Sequence, residues 1–189
     1  METKNTMFMS AIKTGLILCA ISIVIFLVMY VFNIQPIGIL KPILFLVVTM
    51  GITITVLVVL FKNYRTQIGG FISFRDAFLY CLIALSLSFI LYYIFNYLFL
   101  LLVDPEYNKN MMEAQKAWME EYLVGKMSDE QIAEQLDKID AEAAKMSTFS
   151  AVLKNIIRGV VFGGIISLIV AAIMKKKPEL FEDTTGGAI

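Results

Sequence analysis

Tyr92, Tyr93, Asn96 and Tyr97 crowd the later part of one long apolar run, and Lys154, Asn155 and Arg158 sit near the start of another. Phenols, two carboxamides and two cations are the groups a protein uses to hold an anion, a lipid headgroup or a polar solute. Read as helices, with about 1.5 Å of rise per residue, Asn96 lies about 29 Å from Ala77 and Arg158 about 26 Å from Lys175. The two clusters therefore fall at similar height, with Asp104 just above them. An ionisable residue inside a membrane span is a functional candidate by default. Tyr92, Tyr93, Asn96, Tyr97, Lys154 and Arg158 are accordingly the candidate ligand or interhelical polar site. The plainer reading is anchoring: tyrosines favour the membrane interface, and Arg158 reaches water by extending roughly 5 Å.

Other chemistry is hard to assemble from this chain. It has no histidine, and its two cysteines, Cys19 and Cys81, fall inside apolar runs where they pack as small hydrophobes. No Cys/His metal spacing, disulfide framework or catalytic constellation can be read from it, so no enzyme activity, metal or cofactor is expected. Bulky Leu18 before Cys19 argues against a lipoprotein acceptor. Sixteen basic residues balance sixteen acidic ones, and no basic surface for nucleic acid follows from that balance.

The elements that must position these residues are four apolar runs, 11–32, 39–61, 77–103 and 151–174. Each is long enough to cross a hydrocarbon core of about 30 Å as a helix. With 59% apolar residues in 189, the expected fold is all-α, an integral membrane four-helix bundle. Lys4 and Lys13, then Lys62, Arg65 and Arg75, then Lys175, Lys176 and Lys177 occupy alternate connections. By the positive-inside rule those segments are cytoplasmic, as are both termini. Residues 1–103 and 150–177 form the bundle, 104–149 an acidic extracytoplasmic segment, and 178–189 a cytoplasmic tail. The lipid bilayer is the first partner implied.

Small residues mark the packing faces. Gly159, Gly163, Ser167 and Ala171 recur every fourth position in the last run, and Ala11, Gly15 and Cys19 do so in the first. Such strips let helix backbones approach closely, within one chain or between copies. Thr49, Thr53 and Thr55 are expected to bond back to their own helix, with Gly51 lowering the local bulk. Ser73 with Asp76 and Ser128 with Gln131 fit capping boxes. In the acidic segment, Met111, Met112, Gln115, Trp118, Met119, Tyr122 and Leu123 fall mostly on one helical face, and Gly125 ends that helix. Ile132, Leu136, Ile139, Ala143 and Met146 make a second stripe, so two amphipathic helices are expected to close into a hairpin that rests on the bundle or docks its Met- and Trp-bearing face onto another protein or the membrane surface.

Gly70-Phe71-Ile72-Ser73-Phe74 with Ala77-Phe78, a tyrosine-rich third span, and Asp104-Pro105-Glu106 before a charged loop resemble domain of unknown function family 4199. The resemblance covers nearly the whole chain. It implies a bacterial, Bacteroidota-type inner-membrane protein of four helices with an external loop, and brings no activity or binding residues. The leading expectation is a non-enzymatic assembly or interaction protein of the cell envelope, joining a second copy or an envelope partner. The rival is a small oligomeric transporter or channel subunit using the polar site in the outer half of helices three and four.

Overall fold

The computed structural model describes residues 2–146 and 149–175; the expected tail at 178–189, with Lys176 and Lys177, lies outside them. Six helices follow one another: α1 Glu2–Val31, α2 Leu40–Gln67, α3 Phe74–Leu102, α4 Tyr107–Leu123, α5 Asp129–Met146 and α6 Phe149–Met174. No β-strand occurs among the described residues. Four helices, α1, α2, α3 and α6, are long and apolar enough to cross a membrane.

Local sequence sets their ends. Asn33, at φ 50°, closes α1 with a left-handed residue while Ile34 N–H returns to Met29 O at 2.8 Å. Gly69, at φ 94°, ends α2 the same way, with Gly70 N–H on Arg65 O at 2.9 Å. Both satisfy carbonyls that would otherwise end the helix unpaired. Ser73 caps α3 by accepting from Asp76 N–H at 3.1 Å. The Asp76 carboxylate accepts a hydrogen bond from the Ser73 hydroxyl at 2.8 Å, where a full capping box would have it accept from the Ser73 backbone amide. At α5 the box is complete: Gln131 Oε1 accepts from Ser128 N–H and Ser128 Oγ from Gln131 N–H.

Helix α3 stands between α1 and α6. It runs parallel to α1, with Thr14 beside Tyr80 near their starts and Phe26 against Phe95 and Phe99 near their ends. A Cβ at Gly15 would lie 2.8 Å from Ala84 O, so the α1–α3 approach is set by the absent side chain. Helix α6 runs antiparallel to α3, its Gly159 covered by Phe89 and Tyr93 and its Gly163 by Leu85 and Phe89. Helix α2 joins the others mainly through Leu57, Phe61 and Tyr64 in its last turns. Its most apolar stretch is 6% buried, against 28–33% in the other three.

The long helices thus have two ends. One, the tail end, carries the α2–α3 link and the close of α6, where Arg65 Nη1 donates to Met174 O at 2.9 Å. The other, the loop end, carries the α1–α2 turn and the α3–α4 link. There α4 and α5 pack on each other, with Lys116 Nζ 2.6 Å from Asp140 Oδ2 and Ile132 buried.

Candidate functional site

The polar cluster read from the sequence divides in two. Tyr92, Tyr93, Asn96 and Tyr97 are half-buried on α3, and the Tyr92 and Tyr93 rings meet edge to face at 5.7 Å. Lys154 and Arg158 are exposed and make no hydrogen bond or ion pair among the described residues. The reason is angular: the buried side of α6 is the strip Gly159, Gly163, Ser167, Ala171, and the two cations fall beside it. Stepping one turn outward along that strip from Gly159 brings Asn155, not Lys154, to the level of Tyr97. Asn155 is half-buried. Arg158 stays close enough to act electrostatically on Tyr93.

The glycine strip is fully used inside the chain. Ser167 and Ala171 are completely buried, and Ser167 Oγ donates to Gly163 O at 2.7 Å, which removes a bare hydroxyl from the α3–α6 seam. Gly164, beside the strip, meets only Leu82 at 3.9 Å.

A second polar centre lies at the loop end. Asp104 accepts from the Tyr30 hydroxyl at 3.2 Å and from Glu106 N–H at 3.2 Å. Tyr107 closes over it, 5.6 Å from the Tyr30 ring and 6.0 Å from Phe26. Burial first, then the neighbouring Asp104 and Tyr30 charges, push the Tyr107 phenol above its ordinary range. These groups satisfy one another. They seat α4 on α1 and offer no vacant donor set.

The third is at the tail end, and sequence reasoning missed it. Thr14 and Tyr80 hydroxyls bond at 2.6 Å, with Ser10 Oγ at 3.4 Å, beneath a Tyr64–Tyr80 stack at 4.9 Å and the Phe61 edge at 5.0 Å. Its signal was a hydroxyl pair, Ser10 and Thr14, one turn apart on the small-residue face of the first run. Buried hydroxyls without a partner in an apolar medium cost several kcal/mol, on the order of 2–7, so such pairs bind helices together.

Among the described residues no three His, Cys, Asp or Glu side chains gather where they could hold a metal ion. What the geometry defines is an all-helical protein with four apolar, membrane-length helices held by small-residue seams and internally paired hydroxyls. Residues 13–176 match the family described as protein of unknown function DUF4199, and the chain belongs to that family. No curated protein and no solved structure matches it.

Proposed function

We propose that this protein is a non-enzymatic, multi-pass component of a bacterial inner membrane, a four-helix bundle that assembles laterally with a second copy of itself. Both termini lie in the cytoplasm, and α4 and α5 form a helical hairpin on the outer side. The observation that carries the reading is on α2. Apart from its chain neighbours and the backbone of its own helix turn, no atom among the described residues lies within 4 Å of the Gly51 Cβ position, and both Gly51 and Thr55, one turn on, are exposed on the least buried long helix. A small residue followed by another four positions on is the pattern by which membrane helices associate. The corresponding strips of α1 and α6 are already occupied by α3. Assembly through Gly159 and Gly163 is therefore set aside in favour of α2.

The test is association in lipid. Gly51→Leu should weaken self-association roughly tenfold, about 1.4 kcal/mol, measured by dilution in bilayers with paired fluorescent labels. Equal association of variant and parent, or a monomer at every protein-to-lipid ratio, overturns the reading.

A further inference from the structure

Helix α4 lies flat across the loop end. Tyr107, Met111, Gln115, Trp118 and Tyr122 follow one another at intervals of four, four, three and four residues and so share one face. The contacts of that face are with helix ends: Tyr107 rests on Tyr30, the last residue but one of α1. Two turns on, Gln115 Oε1 accepts from Gly38 N–H at 3.1 Å, and Trp118 covers Gly38, just before α2 begins. Both contact points stand at the level where the apolar helices stop, yet they are about 16 Å apart along α4 at about 1.5 Å per residue. The helix therefore runs along the surface those ends define.

Tyr122 continues the same face one turn past Gly38, the last seat it has. It stacks on Trp118 at 5.0 Å and carries the Lys126 ammonium 3.3 Å above its ring, while 44% of it stays exposed. Beyond it Val124 and Met127 are 66% and 44% exposed. We propose that this overhanging end of α4 is a foot in the bilayer surface. Trp118 and Tyr122 sit at headgroup level, Val124 and Met127 enter the acyl boundary, and Lys126 meets a lipid phosphate. Aromatic rings with a polar edge favour that layer, and a lysine stem spans it. Glu120, Glu121, Asp129 and Glu130 nearby oppose attraction to anionic lipid. The ligand is thus the interfacial layer of a zwitterionic leaflet.

Trp118 is the sole tryptophan, so its emission can be moved along the foot. The probe is phosphatidylcholine brominated either near the headgroup or near the chain terminus. In bilayers of it, Trp118 in the parent and the indole of Trp118→Phe/Val124→Trp should both lose most of their emission to the shallow bromines, little to the deep ones, and little to aqueous iodide. Replacing part of the lipid by phosphatidylglycerol should not strengthen the quenching. Emission at position 124 quenched by iodide alone places the foot in water, and shielding from both quenchers places it under another polypeptide; either overturns the proposal. Moving the indole to Met127 in place of Val124 repeats the test if the first variant is lost on purification. The inference rests on the membrane reading, and alkaline washing separates the two. Release of the parent protein would fail both, whereas retention with an iodide-quenched foot fails this one only.

Discussion

Helices α6 and α2 are alike in length and apolarity, 26 and 28 residues, and opposite in how they are held. A strip of four small residues fastens α6 to α3 along its length. Three bulky residues at one end fasten α2, leaving Leu40, Ile43, Leu44 and Val47 at least half exposed. In water both faces would be driven inward by the hydrophobic effect. In lipid, hydrocarbon solvates a leucine as well as a protein does, and close backbone approach decides which helices stick. Apolar length thus makes a span, and small side chains opposite large ones make a seam.

The sharpest way to break that comparison is to fill a seam. Gly15→Leu would force its first carbon to 2.8 Å from Ala84 O, a backbone atom that cannot step aside. It should cost about 3 kcal/mol, the upper end of overpacking, and read as loss of folded protein in a denaturant-in-micelle titration. Emptying the one firm attachment of α2 comes next. Phe61→Ala removes a fully buried ring from the Tyr80 edge contact. In lipid the transfer part of the penalty is lost and the cavity part remains, so about 2 kcal/mol is expected, with crosslinks between α2 and α3 lost before those between α6 and α3. Tyr80→Phe leaves the ring stack intact and removes the Thr14 hydroxyl's partner; a helical threonine can turn to the carbonyl one turn back, so only the net hydrogen bond is lost, about 1 kcal/mol in the same titration.

The smallest effect is a pH dependence at the loop end. Tyr107 ionises above its ordinary range in the folded protein, so the folded state holds its proton where the unfolded chain releases it. Stability from this group is intact below about pH 10 and falls as pH rises beyond it. Tyr107→Phe should flatten that alkaline slope, and an unchanged slope would assign it elsewhere.

Much of this architecture was legible in the residues. The four membrane-length helices follow from apolar run length, and Gly125 and the serine caps marked ends correctly because each acts through its own backbone. Helix boundaries ran further than the apolar runs did. Helix α1 starts at Glu2 and α2 continues to Gln67, since polar residues such as Lys62 and Asn63 extend a helix once it leaves the apolar layer. The site was less legible. Periodicity finds a small strip but not the helix that fills it, and a step of one residue, from Asn155 to Lys154, turns a side chain from seam to surface. The seating of Trp118 on Gly38 joins residues far apart in the chain, and no local pattern announces such a contact.

The central place of α3 sets an order of events during synthesis. Its partner α1 precedes it, whereas α6 is complete only after about 70 further residues, several seconds at roughly 5–20 residues per second. Until then Leu85, Phe89 and Tyr93, the side chains that later cover the glycines of α6, have only lipid or the insertion machinery against them. A nascent chain cut short before α6 would carry that uncovered groove permanently, a handle by which membrane quality control could tell an unfinished molecule from a finished one.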